Sequence, residues 1–204
     1  MRDFFKKENN KNLNGFTILE VVVALGVVVT GVIAGLTLTT YNLNTAAASD
    51  VKLVAANLAR EGVEVVRQVR DSNWLAGNNW DKNLTGLGSY RFITNFDIKS
   101  NIWNLKIENT NIAGCSECQL YIDKVSGVYS HDSSGSGTVF KREISLQQIC
   151  WQDAVGDETV LAAGLSCQAQ GFELAGLEVH SLVTWSETGN AKQLEIVDRL
   201  YNWR

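Results

Sequence analysis

Apolar residues run almost without interruption from Phe16 to Leu38, and only Thr17, Glu20 and Thr30 break the run before Leu36. No charged residue occurs between Val21 and Leu43. A stretch of about 20 mostly apolar residues crosses a hydrocarbon core of about 30 Å as a helix. The block therefore predicts a helix surrounded by lipid or by other helices, hydrophobic on every face. From Asp50 to Arg70 the pattern changes: Val51, Val54, Leu58, Val65 and Val69 recur at helical spacing and charges cover the remaining surface. The chain has no proline, so nothing forces a break between the two halves. One helix from Phe16 to about Asp71 is expected, roughly 80 Å long at about 1.5 Å per residue. A single small domain can cover only its second half, so the first half is expected to protrude.

Beyond Asp71 the alternation shifts towards period two. The stretch from Asp71 to Trp80 predicts a helix exit and a loop, with Trp74 and Trp80 as anchors against the domain rather than as exposed carbohydrate-stacking rings. Strands are expected at Tyr90 to Asp97, Ile102 to Glu108, Gln119 to Asp123, Gly127 to Ser130, Val139 to Leu146, Leu177 to Trp185 and Gln193 to Leu200. Turn residues at Lys124 to Gly127 and at Ser186 to Asn190 mark two hairpins, and short connections favour antiparallel pairing. Gln152 to Ala175 predicts a long irregular insertion. The expected class is α+β: a long protruding N-terminal helix whose C-terminal half packs on an antiparallel sheet. The expected divisions are a leader over 1–15, an apolar half-helix over 16–43, an amphipathic half over 44–74 and a β-rich head over 75–204.

Charge and cysteines place the head outside the cell membrane. Arg2, Lys6, Lys7 and Lys11 precede the apolar block, and the first acid after it is Asp50. That bias keeps the N-terminus cytoplasmic and sends the rest across. All four cysteines, Cys115, Cys118, Cys150 and Cys167, fall on the exported side, and an even count there predicts two disulfides. Of three possible pairings, Cys115 with Cys118 and Cys150 with Cys167 close the local loops. A zinc site is the rival, but only Cys115 to Cys118 has ligand spacing. Without residues 1–15 the chain carries 14 basic and 20 acidic residues, a net charge of −6, so bulk charge suggests no nucleic-acid partner.

The junction Gly15-Phe16-Thr17-Ile18-Leu19-Glu20-Val21 resembles the prepilin motif of type IV pilins and type II secretion pseudopilins. The resemblance implies that a membrane-embedded prepilin peptidase cuts after Gly15 and methylates the new N-terminus at Phe16. Glu20 becomes the fifth mature residue, and Thr17 and Glu20 belong to the assembly segment. A lone carboxylate inside a bilayer costs about 2.5 to 3.5 kcal/mol on insertion scales. Cleavage before Phe16 creates an α-ammonium that can meet Glu20 of a neighbouring subunit, making the glutamate an assembly latch that also sets stagger. The plainer reading leaves Glu20 at headgroup depth, where an acid suits the first turn of a helix.

Gly31 and Gly35 form a G-x-x-x-G spacing, and Gly26 adds a third thin point. Such glycines permit close helix approach, weaken the helix for stretching together with Thr30 and Thr37, or occur by chance in a Gly- and Val-rich span. Members of the resembled family often carry a proline in this region, and none occurs here.

Nothing in the chain predicts catalysis or a cofactor. There is no P-loop and no G-x-G-x-x-G. His131-Asp132-Ser133 holds the letters of a triad, but adjacent loop residues do not make its geometry. His180 falls in a period-two strand and is expected to face solvent.

The resemblance implies a structural subunit of a type IV pilus-like filament, and the large head, two cysteine pairs and insertions suit a minor pilin. Its partners would be other pilin subunits, the prepilin peptidase, the membrane and the assembly machinery with its separate ATPase. A type II secretion or DNA-uptake pseudopilin shares these features. A membrane-anchored adhesin or binding protein that never polymerises is the alternative from another class.

Overall fold

The computed structural model describes residues 17–85, 91–97, 102–107, 112, 114–152, 156–187 and 189–202. The chain divides into two compact units, Met1–Ala47 and Ala48–Arg204. One helix, α1 (Ile18–Leu75), contributes to both. Among the described residues eight strands follow: β1 (Arg91–Asp97), β2 (Ile102–Ile107), β3 (Gln119–Ile122), β4 (Tyr129–Ser130), β5 (Ser136–Gln152), β6 (Asp157–Val160), β7 (Glu173–Glu187) and β8 (Asn190–Tyr201). The class is α+β, with the C-terminal half of the long helix on an antiparallel sheet, as the pattern predicts.

Strand β5 is the spine. One edge pairs with β7 from Lys141 to Trp151. The other is shared by β3, β1 and β6. β2 extends β1, β4 extends β3 and β8 extends β7, all antiparallel.

Three strands are longer than the alternation indicates, and the segment from Gln152 to Ala175 is not wholly irregular. It contains β6, a short 3-10 turn at Gln168–Gln170 and the start of β7. In β5 and β7 the alternation is interrupted by a register shift at Ile149 and Cys150, where two successive residues are both buried and period two is lost. Tyr90 and Glu108, the outer ends of two expected strands, lie outside the described residues.

The helix runs to Leu75 and closes on Gly77. There φ is +70°, Gly77 N–H donates to Trp74 C=O at 3.1 Å and Asn78 N–H to Asn73 C=O at 2.9 Å. This is a Schellman end, which needs the left-handed conformation glycine supplies. Asn73 Nδ2 then donates to Trp80 C=O and Lys82 C=O, tying the exit loop to the helix. Both expected anchors serve: Trp80 is buried, and Trp74 packs beside the core with the Arg70 guanidinium 4.7 Å from its ring centre.

The helix face that meets the sheet is smaller than the valine and leucine spacing indicates. Leu58 and Val65 are buried as expected, but Ala55, Ala59, Gly62, Val63 and Val66 are buried with them. Opposite stand Ile144 and Leu146 of β5, Leu177, Val179, Val183 and Trp185 of β7, and Leu200 of β8. Gly62 marks the closest approach. A Cβ there would overlap Ser181 Oγ and lie 3.2 Å from Ile144 Cδ1, and Ser181 Oγ is itself buried without a hydrogen-bond partner.

Gly62→Ala is therefore expected to lower stability by about 2 kcal/mol through overpacking, despite the better helix propensity of alanine. Adding Ser181→Ala should recover most of the loss, because it removes both the clash and an unsatisfied hydroxyl. Urea unfolding followed by tryptophan fluorescence checks this, since all six tryptophans lie beyond residue 73. A stabilised Gly62→Ala single variant would refute the close approach.

Candidate assembly segment

Gly15 and Phe16, the expected processing residues, lie outside the described residues. Thr17 caps α1. Glu20 N–H donates to Thr17 Oγ1 at 3.3 Å and to Thr17 C=O at 3.0 Å. Thr17-Ile18-Leu19-Glu20 thus has the spacing of a capping box, a threonine at the cap and a glutamate at the third helical position. Glu20 is the acid of the first turn, where it complements the helix dipole, and its side chain is exposed. It makes no ion pair among the described residues.

Every residue from Thr17 to Ala47 is exposed. Ile18 is 85% exposed, and Val27, Leu36 and Leu43 exceed 60%. This part of α1 is long and apolar enough to cross a membrane, and nothing within its most apolar stretch is buried by the chain itself. A Cβ placed at Gly26, Gly31 or Gly35 would meet nothing within 4 Å. No contact among the described residues requires a glycine at those positions.

The threonines are satisfied internally, which the sequence reading did not anticipate. Thr30 Oγ1 donates to Gly26 C=O at 3.0 Å and Val27 C=O at 2.9 Å, Thr37 to Ile33 C=O at 2.9 Å, Thr39 to Gly35 C=O at 2.8 Å and Thr40 to Leu36 C=O at 3.1 Å. Back-bonding of this kind lets a hydroxyl enter an apolar environment without an outside partner. Helical threonine spacing alone carries no mark of it, because the bond depends on the side-chain rotamer.

The four cysteines form the two expected disulfides, Cys115–Cys118 and Cys150–Cys167, with Cα separations of 5.4 and 5.5 Å. No described cysteine is free, so the zinc alternative falls. Cys115 and Cys118 pack under Ile93, and Cys150 and Cys167 against Leu161.

The two histidines have separate settings. His180 lies on the sheet face away from α1, with Nε2 3.1 Å from Glu178 Oε1 and Nδ1 2.9 Å from Glu195 Oε1. His131 is drawn inward: Nδ1 lies 2.6 Å from Thr94 C=O and Nε2 3.4 Å from Arg142 C=O. Burial first, and then the Arg142 charge, push its pKa down to about 4. Both its ring nitrogens face carbonyls, and its neighbours Asp132 and Ser133 do not join it in a triad.

The residue that the sequence reading missed is Arg142. It is fully buried. Nη1 donates to Leu58 C=O and to Glu61 Oε1, each at 3.0 Å, and Nη2 donates to Thr94 Oγ1. Burial works against the guanidinium charge and Glu61 opposes that effect. One side chain of β5 thereby clamps α1 to β1. Its signal was its register, since Arg142 shares a period-two face with Phe140, Ile144 and Leu146.

Among the described residues no group of three His, Cys, Asp or Glu side chains could hold a metal ion. What the fold and the segment define is a class: an α+β, two-disulfide protein whose helix begins with about 30 exposed, mostly apolar residues. No family model, no curated protein and no solved structure matches the chain.

Proposed function

We propose that this chain is a structural subunit of a type IV pilus-like filament, in the manner of a minor pilin, processed after Gly15 and assembled through the apolar part of α1. The observation that carries the reading is the junction Gly15-Phe16-Thr17-Ile18-Leu19-Glu20 directly ahead of an apolar helix whose side chains the chain leaves uncovered. A bundle of such helices covers that surface in the polymer, and lipid covers it beforehand. The N-terminus is cytoplasmic and the head exported, in line with the basic residues ahead of the span and with the disulfides beyond it. Glu20, which makes no ion pair among the described residues, is compensated by the N-terminal ammonium of a neighbouring subunit. Secretion and DNA-uptake pseudopilins are built on the same junction, and the reading includes them as filament subunits.

Intact mass and N-terminal sequencing of membrane and sheared fractions test the proposal. A chain beginning at N-methylated Phe16, present in sheared fibres, is expected. An intact Met1, or a cut beyond the apolar block, would leave a membrane-anchored binding protein as the better account. Glu20→Leu should be cleaved like the wild type yet be missing from sheared fibres. Its normal incorporation would defeat the latch.

A further inference from the structure

Strand β8 has one partner, β7. Along its other edge, among the described residues, no strand pairs. The hairpin joining β7 to β8 closes at Glu187 and Asn190, so even-numbered residues of β8 exchange hydrogen bonds with β7. Asn202 N–H, donating to Ala175 C=O at 3.0 Å, continues that phase. The odd-numbered residues, Ala191 to Tyr201, therefore turn their N–H and C=O groups outward. Three of these residues also keep exposed side chains on the face away from α1: Glu195 and Arg199 at 48% and 52%, and Val197 at 48%.

We infer that β8 is the pairing edge for a second copy of this chain, joined antiparallel across a two-fold axis at Val197. The charge pattern selects both occupant and register. Centred on Val197, the register places Val197 opposite Val197 and each Glu195 opposite Arg199, with about ten new backbone hydrogen bonds. Opposite charges facing across strands stabilise a pair and like charges oppose it. A dyad at Glu195 would face glutamate with glutamate, and one at Arg199 would face arginine with arginine. A dyad at Gln193 would carry Val197 past the end of the strand. Edge strands are commonly protected by charge, but here the charges complement their own image.

The dyad stands normal to the paired sheets, so it reverses the strands of one copy, and the part of α1 packed on them, against those of the other. Neighbours in one polar filament all point the same way, so the paired copies belong to two filaments lying side by side. The pairing rests on the filament reading for its setting, not for its geometry.

The test is Val197→Cys in the full-length chain, oxidised in sheared fibres and in detergent and resolved on a non-reducing gel. A hydrogen-bonded antiparallel pair brings Cα atoms to about 5.5 Å, within disulfide reach. A linked band at twice the chain mass is expected. Gln193→Cys should give at least about tenfold less, because the two 193 positions would lie about 27 Å apart. Arg199→Glu should cut the Val197→Cys linkage about tenfold, and Glu195→Arg with Arg199→Glu should restore it. Linkage in detergent without any sheared fibre would sink the filament reading and uphold the edge. Fibres that form without linkage at 197 would do the reverse. Equal linkage at 193, indifference to Arg199→Glu, or linkage to another protein would each overturn the pairing.

Discussion

Arg142→Ala is expected to destabilise the unit from Ala48 to Arg204 by about 3 kcal/mol, through the cavity left by a large buried side chain and the loss of the donor to buried polar groups. The guanidinium is fully buried and serves three groups on two elements: Leu58 C=O and Glu61 on α1, and Thr94 on β1. Alanine strips the partners from all three and leaves a cavity against Phe140 and Ile144. Arg142→Met should cost less, because it fills most of the volume and Glu61, about a third exposed, can turn to water. Urea unfolding of both variants in detergent, read by tryptophan fluorescence, gives the comparison. An Arg142→Ala variant within 1 kcal/mol of wild type would show that the clamp contributes little.

Acid is expected to weaken the same network through His131. Its ordinary pKa is 6.5, and in the fold burial and the Arg142 charge lower it to about 4. Between those values the unfolded chain takes up a proton that the folded chain refuses, so stability falls as pH drops from 6.5 to 4. The full difference is about 3 kcal/mol, with most of it lost by pH 4.5. Asp123 and Asp132, whose carboxyls are held low by backbone N–H groups, act in a different window: their contribution is complete above 3.8 and disappears below it. Comparing urea midpoints at pH 7 and pH 4.5 for wild type and His131→Gln separates the two. His131→Gln should flatten the slope across that window, and an unchanged slope would remove His131 as its cause.

The parts of this molecule written in local pattern are legible in the sequence. The apolar run from Phe16, the amphipathic stretch after Asp50, the turn at Lys124 to Gly127 and the short loop before Asn190 each declare themselves within a few residues. So did the disulfides, because each pair closes a nearby loop. Strand β6 was not legible: it is four residues long with an exposed first half, and β5 supplies its ladder. The inward position of His131 was also hidden, since the carbonyls that hold it belong to Thr94 and Arg142, 37 and 11 residues away.

The sequence by itself determined that a long apolar helix leads into an antiparallel, disulfide-bonded head, because periodicity, charge asymmetry and cysteine spacing act over short distances along the chain. Tertiary structure alone decided that Gly62 must be small, that a buried arginine joins α1 to β1, and that no other described strand pairs along the outer edge of β8, where its odd-numbered backbone groups face. Those properties arise where segments far apart in sequence come within a few ångströms, and there the identity of a residue matters only through the neighbour that the fold sets against it.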